Sequence, residues 1–124
     1  MKNNSINIVE VGPRDGLQNE TKKIPTENKI EFVNKLSKTG LLHIEVSSFV
    51  NPKYIPQLDD ALEVFNGIDR KANINYGALV PNQQGMLRAL DSNPNSIAVF
   101  TAVSESFTQK NINCSIDESL QRFK

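Results

Sequence analysis

The sequence predicts an α/β fold in which four parallel strands alternate with helices. Three observations predict it. Short β-branched runs recur, their starts separated by roughly 30 residues, as in repeated strand–helix units. Between them lie segments whose apolar residues return at helical spacing. Glycine, proline and asparagine punctuate the joints. This alternation calls for a parallel sheet with right-handed crossovers. It fits the first half of a (β/α)₈ barrel, whose full length is about 250 residues, and fits a doubly wound open sheet equally well.

Each element follows from its own residues. Residues 6–11, Ile-Asn-Ile-Val-Glu-Val, are short and β-branched and close on Gly12-Pro13, so they read as strand one. Thr26 can cap a helix with Glu27 favourable in its first turn. Ile30, Val33 and Leu36 share a face of that helix, Phe32 lies beside them, and Gly40 stops it. Residues 43–48 form strand two, followed by an irregular stretch over 49–57 broken by Pro52 and Pro56. Asp59 or Asp60 starts the next helix, with Leu62 and Phe65 facing inward and Gly67 ending it. Residues 74–80 form strand three. Pro81-Asn82 opens a helix marked by Met86, Leu87 and Leu90, and residues 92–95 turn the chain. Residues 97–103 form strand four, and a polar loop covers 104–113. Ser115 and Glu118 make a capping box, after which Ile116, Leu120 and Phe123 begin an apolar stripe. That stripe stops at Lys124 after about nine residues, too few for an independent helix. The expectation is therefore a chain cut partway through a larger domain.

Composition excludes several classes. Fourteen basic side chains balance fourteen acidic ones in 124 residues. Zero net charge argues against a nucleic-acid binder, which needs a basic surface to displace counterions. No run approaches the roughly 20 apolar residues of a membrane span, and the start carries neither signal nor transit character. One cysteine, Cys114, makes no internal disulfide and fits a reducing compartment as a packed, inert thiol. The expected location is the cytoplasm.

In parallel α/β proteins chemistry gathers at the carboxyl ends of the strands. Gly12-Pro-Arg-Asp-Gly16 lies there. It can be a plain turn, or it can set Arg14 and Asp15 side by side at a strand end. Aspartate there offers hard oxygen to Mg²⁺ or Mn²⁺, and an adjacent arginine steadies negative charge growing on a substrate oxygen. Glu45 interrupts an apolar strand between Ile44 and Val46 and needs a partner if buried. Arg14 is the natural candidate, either as a structural ion pair or as part of a reactive constellation. His43 fits a strand edge or surface better than a ligand. The 110–113 stretch can touch phosphate or amide groups of a cofactor, or satisfy itself.

Val9-Glu-Val-Gly-Pro-Arg-Asp-Gly-Leu-Gln-Asn-Glu20 resembles the opening signature of the hydroxymethylglutaryl-CoA lyases. The likeness continues through Ile44-Glu-Val-Ser-Ser-Phe-Val-Asn-Pro-Lys53 and Ile55-Pro-Gln57. It returns at Lys110-Asn-Ile-Asn-Cys-Ser115 and reaches Phe123. Related synthases usually carry glutamate where this chain has Leu17, which favours the lyase branch. The resemblance implies the amino-terminal half of a (β/α)₈ TIM barrel, with residues 1–124 a partial catalytic domain. It implies retro-Claisen cleavage of 3-hydroxy-3-methylglutaryl-CoA to acetoacetate and acetyl-CoA in the full-length parent. Asp15 would be a ligand of the divalent cation, Mg²⁺ or Mn²⁺. Arg14 would contact the acyl group and stabilise the enolate, and Glu45 would orient Arg14 or relay charge near the reacting hydroxyl. Gln18, Asn19 and Ser48 would line the pocket, and Lys110 and Asn111 would lie toward coenzyme A. The implied partner is an acyl-CoA substrate, with no nucleic acid or membrane, and a homo-oligomeric parent is compatible. Thr21 stands where relatives often carry lysine, so Lys22 or Lys23 is the replacement to test for phosphate binding. The family's His-x-His pair, its later asparagine and its cysteine on a glycine-rich loop have no counterpart in these residues, and Cys114 does not inherit that cysteine's role. Three alternatives stand beside this reading: a lyase for another 3-hydroxyacyl-CoA, a Claisen-type synthase such as isopropylmalate or citramalate synthase, and an inactive barrel remnant or interaction element.

Overall fold

The computed structural model describes residues 5–124. Strands β1 (Val9–Glu10), β2 (His43–Ser48), β3 (Asn75–Leu79) and β4 (Ser96–Ala98) form one sheet in sequential order. Every neighbouring pair is parallel. Helices α1 (Thr26–Leu36), α2 (Ala61–Gly67) and α3 (Gln83–Ser92) connect consecutive strands, and α4 (Glu105–Ile112) and α5 (Ile116–Arg122) follow β4. Sequential order is the arrangement of consecutive barrel strands; a doubly wound sheet would insert β1 between later ones.

The core sits between the helices and one face of the sheet. Ile44, Val46, Tyr76, Ala78 and Val80 meet Val33, Ala61, Val64, Phe65, Ile68 and Ala89 there, all buried. Strand side chains alternate, so Glu45 projects to the opposite face. Gly77, in register with Glu45, leaves room beside it.

Several expectations change for physical reasons. β1 is confined to Val9–Glu10 rather than 6–11, and β4 ends at Ala98 rather than running from 97 to 103. Each pairs with one neighbour, and a strand lasts only as long as its partner. β1 enters register with β2 at Val9 opposite His43, and β4 leaves register with β3 at Ala98 opposite Leu79. The 104–113 stretch is a helix, not a loop. The Ser104 hydroxyl caps it by accepting from Phe107 N at 3.2 Å, and Asn113 ends it in the left-handed region. Its buried residue is the polar Thr108, while Phe107 is 52% exposed, which is why its periodicity reads weakly in the sequence.

The helices also choose different inner faces. In α3 Leu87 and Leu90 point outward, 61% and 59% exposed, while Gly85 and Ala89 are buried. A Cβ on Gly85 would stand 2.7 Å from the Phe49 carbonyl oxygen, so close approach to the sheet selects small residues. In α2 the inner positions are Ala61, Val64 and Phe65, with Leu62 exposed. In α5 Ser119 is buried and Leu120 is not, because the Ser119 hydroxyl meets that of Thr101 at 3.0 Å. The capping box forms as expected, and the Ser115 backbone N–H holds the Glu118 carboxyl below its ordinary pKa. Helix α1 ends at Leu36, ahead of Gly40.

Thr26 is not a cap: Pro25 precedes the helix, and the Thr26 hydroxyl donates to Asp60 Oδ2 at 2.7 Å. Asp60 Oδ1 accepts from Lys29 Nζ at 2.6 Å, and the same ammonium reaches the Gln57 carbonyl at 2.5 Å. Lys29 is 3% exposed. A buried charge is tolerable only when paired, so this pair fastens α1 to the start of α2. Lys29→Met should therefore destabilise the protein by about 3–5 kcal/mol, since Asp60 would keep an unpaired buried charge. Lys29→Met with Asp60→Leu should recover much of that loss. Urea midpoints of the two variants check both outcomes, and a double variant weaker than the single would refute the account.

Candidate active site

The carboxyl end of β1 runs into a single π-helical turn, Gly12–Gly16. Arg14 N and Asp15 N both donate to the Val11 carbonyl, at 3.1 and 2.7 Å. Such turns are rare and concentrate at functional sites, because they redirect side chains that an α-turn would aim elsewhere. Gly12 makes it possible. Its N–H donates to Glu10 Oε1 at 2.7 Å, and a Cβ there would stand 2.8 Å from that oxygen.

The turn delivers Arg14 between two carboxylates. Its Nε donates to Glu45 Oε1 at 2.5 Å, and its Nη1 donates to Asp15 Oδ1 at 2.8 Å. Side-chain exposures are 18% for Arg14, 12% for Glu45 and 55% for Asp15. The partner expected for Glu45 is thus the partner found. Asn19 Nδ2 donates to the Asp15 main-chain carbonyl at 2.8 Å, which braces the turn.

A cavity of about 570 Å³ opens beside the guanidinium. Arg14, Gln18, Ser48, Lys110 and Asn111 line it, brought from the helical segment after β1, from β2 and from α4. Asn19, Asp15 and Glu45 are not on its wall. Glu45 instead borders a smaller hollow of about 230 Å³ on the inner sheet face, with His43 and Gly77. Lys23 is drawn away to Asp59 at 2.5 Å, and that carboxylate raises its pKa, so it already has an anionic partner.

Sequence reasoning missed Val50, Tyr54 and Phe100 on the cavity wall, while Asn113 belongs to the 110–113 stretch it had singled out. Tyr54 carried a usable signal: an aromatic residue in a proline-broken loop, here 79% exposed. Phe100 carried none, since its place depends on β4 stopping at Ala98.

Asp15 suits a hard divalent cation by donor type. It is an exposed carboxylate with one oxygen committed to Arg14, next to a cavity lined by neutral and cationic groups. Among the described residues no three His, Cys, Asp or Glu side chains gather into a metal site.

The HMGL-like family model matches residues 5–124. The chain is 56% identical over 119 residues to the cytoplasmic 3-hydroxy-3-methylglutaryl-CoA lyase of Rattus norvegicus, covering 96% of this chain and 35% of that protein. It superposes on the solved HMG-CoA lyase of Bacillus subtilis with a TM-score of 0.91 at 53% identity, covering 95% of this chain and 40% of that one. An HMG-CoA lyase of Acinetobacter baumannii, solved in complex with coenzyme A and 3-methylmalate, gives a TM-score of 0.90 at 42% identity, covering 94% and 38%. The chain therefore spans about two fifths or less of the length of these relatives. A match across all the described residues, at this identity and with this fold, makes the chain a member of the HMGL-like family.

Proposed function

We propose that the protein carrying this chain is a carbon–carbon lyase that cleaves 3-hydroxy-3-methylglutaryl-CoA to acetoacetate and acetyl-CoA. The observation that carries the reading is Arg14 held between Glu45 and Asp15 at the edge of a cavity large enough for an acyl thioester. The names of the rat and bacterial relatives support the choice of substrate.

The reaction begins with loss of the proton from the tertiary hydroxyl. The oxygen's electrons form the ketone as the bond to the thioester α-carbon breaks. The released electron pair becomes the acetyl-CoA enolate, and a proton returned to that carbon completes acetyl-CoA. Arg14 faces the charge that develops on the thioester oxygen. Its Nε and Nη1 are committed to carboxylates, while Nη2 has no partner among the described residues and is free to donate to substrate. The two carboxylates fix the guanidinium before substrate arrives, so little reorganisation accompanies the charge shift. Of the residues that line the cavity, Gln18 and Ser48 would meet the acyl group, and Lys110 and Asn111 would offer donors toward coenzyme A. A divalent cation, Mg²⁺ or Mn²⁺, supplies Lewis-acid polarisation of substrate oxygens when bound, and Asp15 is the residue here that would hold it. No described helix is long and apolar enough to cross a membrane. The rat relative's name suggests a cytoplasmic location for this protein too.

At the length of its relatives, the protein should release acetoacetate from 3-hydroxy-3-methylglutaryl-CoA with Mg²⁺ or Mn²⁺ added. A chelator should stop the release, and either metal should restore it. Absence of acetoacetate under these conditions would refute the activity. Arg14→Gln should lower the melting temperature, because Glu45 loses its cation, while the protein stays folded at the assay temperature, and should lower turnover about a hundredfold or more, the usual loss when a transition-state donor is removed. Normal turnover in that variant would refute the role of Arg14. The 124-residue chain on its own should show no turnover, since one carboxylate and water hold a hard cation weakly. Robust cleavage by that chain would overturn this expectation.

A further inference from the structure

Arg88 lies on α3, outside the set of residues placed on the reacting groups, yet its guanidinium closes on the backbone that follows β2. Nη2 donates to the Phe49 carbonyl at 2.5 Å and to the Val50 carbonyl at 2.9 Å. The guanidinium carbon stands 6.0 Å from the centre of the Phe49 ring. Gly85, one turn earlier, lets the helix backbone come down onto the same Phe49 carbonyl. Two features of α3 therefore converge on one peptide group.

That peptide group continues directly to Ser48. The Phe49 carbonyl and the Val50 N–H belong to the same amide, and the Val50 N–H donates to Ser48 Oγ at 3.2 Å. A donor on the carbonyl oxygen polarises the amide and strengthens its N–H as a donor. It also fixes the amide plane and hence the direction of the N–H. A serine hydroxyl has one hydrogen to give and two lone pairs to accept with. With one lone pair taken by Val50, the Ser48 hydrogen has no acceptor among the described residues. Ser48 is 1% exposed and lines the same cavity as Arg14.

We infer that Arg88 is a positioning residue: through the Phe49–Val50 amide it aims the Ser48 hydroxyl hydrogen into the cavity as a donor to an oxygen of the acyl thioester. The substrate class rests on the proposed lyase reading, while the Arg88–amide–Ser48 relay does not. Arg88 is exposed, and Met in its place keeps an apolar stem beside the Phe49 ring.

The test uses Arg88→Met, Arg88→Lys, Ser48→Ala and the Arg88→Met/Ser48→Ala pair in the full-length protein. Amide exchange at Val50 should quicken about tenfold in Arg88→Met, the weight of one hydrogen bond, with β3 amides unchanged. Arg88→Lys, which keeps one donor, should fall between Arg88→Met and wild type. For cleavage of the thioester, Arg88→Met and Ser48→Ala should each lower kcat/KM about tenfold, and the pair should be no worse than Ser48→Ala alone. A purely structural arginine would instead multiply its loss onto that of Ser48→Ala. Unchanged exchange at Val50, or losses that multiply, would overturn the inference. If wild type does not cleave the thioester, the lyase reading fails, and Val50 exchange still decides the role of Arg88.

Discussion

Glu45 and Arg14 impose a condition on each other that organises the carboxyl end of this sheet. A carboxylate in the middle of a parallel strand, nearly buried, is costly unless a cation meets it. Arg14 meets it at 2.5 Å, but only because the chain leaves β1 through a π-helical turn. That turn in turn needs Gly12, whose missing Cβ lets the Glu10 carboxylate fold back onto the backbone. Removing any of these parts would leave the others without a reason for their geometry. The ion pair also ties the end of β1 to β2, which a two-residue strand pairing does weakly.

The same architecture separates the duties of the two sheet faces. The helix-facing side is packed with Ile44, Val46, Tyr76 and Ala78, and it carries the stability of the fold. The opposite side carries Glu45, Asn75, Gly77 and Ser96, small or polar groups that would serve poorly as a core. Rigidity on one side allows charge to be held in place on the other. Close packing of α3 through Gly85 and Ala89 serves this end, because it brings Arg88 within reach of the loop after β2.

The 49–60 connection shows how a loop becomes a site wall. Arg88 holds its first carbonyls, and Lys29, with Asp60 and the Gln57 carbonyl, holds its last turn. Gln57 Nε2 also donates to the Glu20 carbonyl at 3.0 Å, which joins this loop to the segment after the π-helical turn. Between these anchors Tyr54 stands exposed at the cavity. Membership in the HMGL-like family agrees with a site built this way, on strand ends and loops over a rigid sheet.

Local chemistry was legible in the sequence wherever a feature depends on near neighbours. The strand–helix order, the capping box of Ser115 and Glu118, and the Asn82 start of α3 all follow from residues a few positions apart. The resemblance of the 9–20 segment pointed to Arg14, and the oddity of a glutamate between Ile44 and Val46 pointed to its partner. What depended on distant partners was not legible. β1 and β4 are short because neighbouring strands, about thirty residues away, decide where pairing begins and ends. Leu87 and Leu90 lost the inner face to Gly85 and Ala89 because the distance between helix and sheet, not hydrophobicity, chose the side chains. Thr26 is not the cap because Pro25 takes the position before the helix and Thr26 its first turn, where the Thr26 hydroxyl gives its hydrogen to the Asp60 carboxylate. Gln18, Ser48 and Lys110 became one cavity wall only when the parallel sheet brought the segments that leave β1, β2 and β4 to the same end. Sequence alone thus determined which elements form and which charges need company; the tertiary structure decided their lengths, faces and meeting points, because those are set by contacts between segments far apart in the chain.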